Sequence, residues 1–167
     1  MKSQNVRNYY VRREHHIPVD FILLKLDQSI EFDYKTTAPI PLKRWNTTFN
    51  EKLQVAGFGK HVVGTDIRKP RSYVIGTLTV KPNSGFCNAT RNEFCAYGKA
   101  EGSFKGDSGG PVFKVIKGKP YQVGMTIYGE VYTDKTDTWA YAFGRYLNIG
   151  TNCHHIKRWT NQTVKCV

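Results

Sequence analysis

Apolar residues along this chain fall into short runs bounded by glycine, proline and polar clusters, which is the pattern of strands and turns. The stretch VDFILLKL, residues 19–26, is nearly continuous yet too short for a typical helix, so it predicts a strand buried on both faces, with Asp20 near its start. QVAGFG, residues 54–59, predicts a short strand ending in a Gly-Phe-Gly corner. In SYVIGTLTV, Val74, Leu78 and Val80 alternate with polar or small residues, as on a half-buried strand. GPVFKVI and YQVGMTIYG predict two hairpin arms joined by Lys117-Gly118-Lys119-Pro120, with Val123, Met125 and Ile127 on one face. WAYAFGRY supplies another strand. Only the tail looks helical: Thr151 or Asn152 can cap a segment that sets Ile156 and Trp159 three residues apart on one face.

The bulk numbers sharpen this picture at a few points. A length of 167 residues suits one domain, but all-β barrel proteins commonly take roughly 200–250 residues, so the chain is expected to be short of a whole one. No run approaches the ~18–20 apolar residues of a spanning helix, which excludes that kind of membrane anchor. The formal charge of +12 raises the question of a polyanion partner. Its basic residues are scattered in pairs such as Arg12-Arg13 and Lys157-Arg158, so they read as solvated surface and no nucleic-acid partner is expected.

The four cysteines lack the paired spacing of a zinc site, and no metal or cofactor is expected. Cys87 with Cys95 and Cys153 with Cys166 are spaced to staple a short loop and the C-terminus, which suggests an oxidising compartment. Acceptor triplets for N-glycosylation at Asn46, Asn88 and Asn161 lean the same way, toward a secreted protein. The opening MKSQNVRNYYVRREHH has no apolar signal core, so secretion implies a true N-terminus elsewhere.

Candidate chemistry centres on KAEGSFKGDSGGPVF, residues 99–113, where Ser108 is set on a tight glycine turn. Serine is a poor nucleophile at neutral pH and needs a base. The order VDFILLKLD, QVAGFGK, FCAYGKAEGSFKGDSGGPVF, YQVGMTIYG and a short terminal helix resembles the chymotrypsin/trypsin-like serine proteases over almost the whole chain, and GDSGGP is the most specific part of the match. The resemblance implies two antiparallel six-stranded β-barrels with the site between them. Here it implies a complete second barrel with a C-terminal helix over about 51–167, and only the remainder of a first barrel over about 1–50.

By the same resemblance Ser108 would attack the scissile carbonyl of a polypeptide substrate and Asp20 would orient an imidazole. The N–H groups of Gly106 and Ser108 would form the oxyanion hole. Glycine at 106 suits a turn whose dihedrals a Cβ would obstruct. Asp107 would be the carboxylate that pairs with an activation-freed Ile-Val-Gly-Gly-like terminus; no such segment precedes Asp20, and Arg71 to Gly76 reads as strand. An unpaired buried carboxylate costs several kcal/mol, so Asp107 is expected to be hydrated, protonated or displaced. Gly102 would lie at the floor of the specificity pocket, with Tyr128 and Gly129 on its wall and Trp139 where the family has a small residue, giving a pocket that is shallow or blocked. Cys87 and Cys95 resemble the family pair that closes the loop ahead of this pocket, whereas Phe104 and Lys114 replace two of its cysteines and Cys153–Cys166 departs from the common pattern.

The missing element is the histidine. The family order places it well ahead of the aspartate, and only 19 residues precede Asp20. An extended segment puts His16 about 13 Å from Asp20, His15 is no nearer, His61 follows the Gly-Phe-Gly corner, and His154 and His155 lie on the terminal helix. None is a credible base. The chain therefore reads as an N-terminally truncated serine endopeptidase, nearly inactive by itself, whose further partners are a missing N-terminal segment or an inhibitor. Strands left uncovered by a missing wall would invite partner pairing. The rival reading is a non-catalytic relative acting as a binding module, for polyanions through its basic surface.

Overall fold

The computed structural model describes residues 5–14, 17–63, 66–133 and 140–167. Ten strands precede one helix: β1 (Val6–Glu14), β2 (Ile17–Leu26), β3 (Lys52–Gly57), β4 (His61–Val63), β5 (Asp66–Arg68), β6 (Val74–Lys81), β7 (Glu93–Lys99), β8 (Pro111–Ile116), β9 (Lys119–Thr133), β10 (Ala140–Asn148) and α1 (Ile149–Trp159). Six of them close an antiparallel barrel in the order β10-β7-β6-β3-β8-β9, while β1 with β2 and β4 with β5 form two-stranded ribbons. One complete barrel and a partial second sheet agree with the double-barrel expectation.

The barrel is filled because its strands alternate. On β6, Leu78 and Val80 point inward, as the sequence pattern predicts, and join Leu53 and Val55 of β3, Val112 of β8 and Tyr146 of β10 in one cluster, while Val74, predicted on the same face, is half-buried at the strand's start. Each such fully buried aliphatic side chain contributes about 1.5–3 kcal/mol. The hairpin between β8 and β9 is tighter than predicted: Lys117 and Gly118, with φ of 49° and 77°, make the whole turn, and Lys119 and Pro120 already belong to β9. Two positive φ values in succession match the right-handed twist of the flanking strands.

Three expectations are corrected. VDFILLKL is not buried on both faces, because β2 pairs only with β1 in a two-stranded ribbon. Phe21 is buried against Leu147, Ile149, Cys153 and Ile156, whereas Ile22 and Leu24 on the other face stay exposed. Val123, Met125 and Ile127 do not share one environment. A bulge in β9 opposite Val112 and Phe113 sends Val123 into the barrel and leaves Met125 and Ile127 against the helix-side cluster. The helix is capped by neither Thr151 nor Asn152 but by Asn148, whose side chain accepts the Gly150 N–H at 2.8 Å, because β10 runs straight into the first turn.

Ile156 and Trp159 do face one way, and that face ties the parts together. The Trp159 ring stacks at 5.8 Å on both Tyr10 of β1 and Phe21 of β2, so the helix holds the ribbon against the barrel. At the chain's end Val167 donates its N–H to Leu42 and accepts the N–H of Arg44, each at 2.9 Å. The Cys153–Cys166 disulfide anchors that tail to the helix, and Cys87–Cys95 closes the loop before β7.

Candidate active site

The loop from Ala100 to Gly110 joins β7 to β8, and its shape is set by one carboxylate. Asp107 is 8% exposed; its Oδ1 accepts the Gly59 N–H at 2.8 Å and its Oδ2 the Phe104 N–H at 2.9 Å. Its backbone N–H returns to the Phe104 carbonyl at 3.0 Å, and its carbonyl accepts the Gly110 N–H at 2.8 Å. Asp107 is expected to be hydrated, protonated or displaced for want of a partner, and the structure gives its carboxyl group two backbone N–H partners that the sequence does not single out.

The Gly-Phe-Gly corner is what admits this carboxylate. A Cβ on Gly57 would come 1.9 Å from Asp107 Oδ1, and one on Gly59 would come 2.5 Å from it. Neither glycine stood out as more than a strand end, although a pair of glycines flanking an exposed aromatic is the signal that a buried group approaches the backbone.

With its two ends held, the loop raises Ser108 on an exposed turn. Gly106 has φ +101° and Gly109 +79°, both in the region that disfavours a side chain. Gly109 donates to the Thr126 carbonyl at 2.8 Å and Thr126 to that of Gly110 at 2.9 Å, which ties the turn to β9. Among the described residues, the N–H groups of Gly106 and Ser108 have no protein acceptor. A backbone turn that leaves N–H groups unpartnered beside an exposed hydroxyl can bind an oxyanion.

Other predicted residues are not gathered around that hydroxyl. Asp20 is exposed on β2, and no hydrogen bond or ion pair joins it to Ser108 among the described residues. His61 stands on β4, lining a cavity with Asp107, Gly57, Gly59, Glu101 and Gly102, and its Nδ1 is buried without a hydrogen-bond partner. His154 and His155 lie side by side on α1 with ring centroids 3.8 Å apart, and His155 sits against Trp159. His15, His16 and Trp139 lie outside the described residues.

Gly102 lines a cavity with His61 and Asp107, whereas Tyr128 lines another with Phe86 and Arg145. Gly102 has φ +140°, and a Cβ there would meet the Ala142 Cβ at 2.5 Å. A Cβ on Gly129 would lie 2.4 Å from the Ser103 carbonyl oxygen, so the loop and β9 touch backbone to backbone where the family resemblance puts a pocket. Glu101 is turned onto β6, where its carboxylate accepts the Thr77 N–H. Tyr128 is exposed, and a hydrogen bond with Glu130 raises its phenol above the usual range, followed by desolvation, while Arg145 opposes the shift.

Beneath this contact the Ser103 hydroxyl, fully buried, hydrogen bonds the Tyr146 hydroxyl at 2.8 Å. Burial pushes the Tyr146 phenol well above the ordinary value near 10, against the lowering effect of Ser103. A raised folded-state value means its stabilising effect is complete below pH ~10, where the unfolded chain is also protonated, and is lost as pH rises beyond it. We expect alkaline absorbance titration to leave one tyrosine silent until the protein unfolds. Tyr146→Phe should move alkaline unfolding to higher pH while costing about 1–3 kcal/mol at neutral pH, because the Ser103 hydroxyl loses its partner. An unchanged alkaline midpoint in that variant would show that Tyr146 is not the controlling group.

No curated protein matches the chain. The family model for trypsin does match, over residues 2–148, which takes in both strands of the β1–β2 ribbon, the whole barrel and the Ser108 turn. A closed six-stranded antiparallel barrel, a second partial sheet and a short terminal helix over the same span agree with that match, and the chain belongs to the trypsin family.

Proposed function

We propose that this chain carries the acyl-transfer part of a secreted serine endopeptidase and that it is nearly inactive without a base from outside its described residues. The observation that carries the reading is the exposed Ser108 hydroxyl beside two backbone N–H groups that have no protein acceptor, on a turn held by buried Asp107. In this reading Ser108 Oγ forms a bond to the carbonyl carbon of a peptide, the developing oxyanion accepts the Gly106 and Ser108 N–H groups, and the amine leaves with a proton. Water then cleaves the acyl-serine ester. Asp20 would orient the imidazole that accepts and returns the proton. Residues from 1 to about 50 belong with the family's first barrel and about 51–167 with the second. By family correspondence Asp107 would be the activation-pocket carboxylate, and Gly102, Tyr128, Gly129 and Trp139 the specificity-pocket positions.

A second reading has one specific support. The contact of Gly129 with Ser103 leaves no room for a substrate side chain between them, which suits a non-catalytic binding relative. Labelling with a fluorophosphonate separates the two. Loss of one triad member typically costs about 10⁴–10⁶ in turnover, so we expect Ser108 to label slower than a complete triad by a factor of that order, and Ser108→Ala to abolish the residual labelling. Rapid labelling of Ser108 would refute the missing base, and a complete lack of labelling would favour the binding relative.

A further inference from the structure

We infer that Asn88 carries an N-linked glycan whose first sugar lies on the ring of Phe86. Asn88-Ala89-Thr90 is an acceptor triplet, and Asn88 is exposed at the end of the loop closed by Cys87–Cys95, a bond made in the oxidising compartment where such glycans are attached. Asn83 Nδ2 donates to Asn88 Oδ1 at 3.2 Å and to the Ala89 carbonyl at 2.8 Å. That pairing engages the amide oxygen of Asn88, and among the described residues no hydrogen bond engages its Nδ2.

The seat for the sugar is built from the same loop. Ser84 and Cys87 exchange N–H···O bonds of 2.9 and 3.1 Å, closing a tight turn that presents Phe86 at its tip, 66% exposed. The Phe86 ring stacks on Phe143 at 5.2 Å and lies tilted against Tyr132 at 6.2 Å, which fixes it while most of the residue stays exposed. Phe86, Asn88, Phe143 and Tyr128 line one surface concavity. The C–H face of a pyranose packs on an aromatic ring, so the sugar attached at Asn88 finds apolar surface two residues from its own anchor and covers a patch that would otherwise be a liability.

The tryptophans beside the other two triplets are already packed. Trp45, beside Asn46, packs inward edge-on to Phe94, and Trp159, two residues before Asn161, is occupied by Tyr10 and Phe21. Attachment replaces one N–H bond of Asn88 Nδ2 with a bond to the anomeric carbon of a lipid-pyrophosphate-linked oligosaccharide. The carbon–oxygen bond to pyrophosphate breaks, the lipid pyrophosphate and a proton leave, and no oxidation occurs.

The test is expression of the full chain behind a signal peptide in a eukaryotic cell, with peptide N-glycosidase digestion and mass spectrometry of the Asn88 peptide. Conversion of Asn88 to Asp is expected in the wild-type chain and absent in Thr90→Ala; the same readout serves protein retained inside the cell, because attachment precedes export. The glycosylated chain should melt about 2–4 °C above its enzymatically deglycosylated form, and Phe86→Ala should abolish that difference while keeping the glycan. An unmodified Asn88 overturns the site. An undiminished thermal difference in Phe86→Ala overturns the seat. Neither result depends on whether Ser108 is reactive.

Discussion

Asp107→Ala is expected to destabilise the protein by about 3–5 kcal/mol, because each hydrogen bond to a buried charge is worth about 1.5–3 kcal/mol and the Gly59 and Phe104 N–H groups would both be left unpaired. Urea unfolding monitored by tryptophan fluorescence measures this, with a fall in melting temperature of roughly 10 °C as the companion result. Asp107→Asn separates charge from shape. Its amide oxygen can accept one of the two N–H groups, but its NH₂ faces the other, so about half the loss is expected. Both variants should also slow fluorophosphonate labelling of Ser108 further, since Gly110 and the Ser108 turn hang from the same residue. A destabilisation below about 1 kcal/mol in Asp107→Ala would mean that water takes over the two amides and that the carboxylate does not organise the loop.

The second large effect concerns the tail. Replacing Cys153 and Cys166 together by serine is expected to cost about 2–4 kcal/mol, since the closed loop of 13 residues restricts the unfolded chain and its loss frees the segment that Val167 clasps. Cys87–Cys95 closes a shorter loop of 8 residues and should contribute somewhat less. Comparing the midpoints of urea unfolding of the double variants under non-reducing conditions decides the order. If the Cys153/Cys166 double variant kept the wild-type midpoint, the Val167 clasp would have to hold the tail without its disulfide.

Much of the barrel was legible in the sequence because period-two alternation marks a strand with one buried face. Leu78 and Val80 obey it, and Ile156 with Trp159 obey the helical counterpart. Where reading failed, the deciding term was not local. The apolar run of β2 carries no sign of how many faces will be covered, and a bulge in β9 reverses the side on which Val123 lies relative to its neighbours. The end of β10 chose Asn148 as cap over two equally suitable residues downstream. At the site, the GDSGGP motif marked the turn that carries Gly106, Asp107 and Ser108. The groups that satisfy Asp107 are backbone amides, which every residue but proline possesses and which no composition can single out. The contact of Gly129 with Ser103 is equally invisible, since it depends on where two separate segments come to rest.

The barrel closes across two joints between strands distant in sequence, and these differ in extent. β7 and β10 pair along their whole length, from Lys99 with Tyr141 to Glu93 with Leu147, whereas β3 and β8 meet only at Gln54 with Phe113 and Val55 with Val112. Long-range pairings must recover the entropy of closing the chain between them, so the longer ladder has more bonds to offset that cost and the short joint is expected to be the weaker of the two. Because Gly57 and Gly59 meet Asp107 just beyond one end of that short joint, the shape of the hydroxyl-bearing loop depends on its closure. Labelling at this serine is therefore expected to report whether that joint is closed.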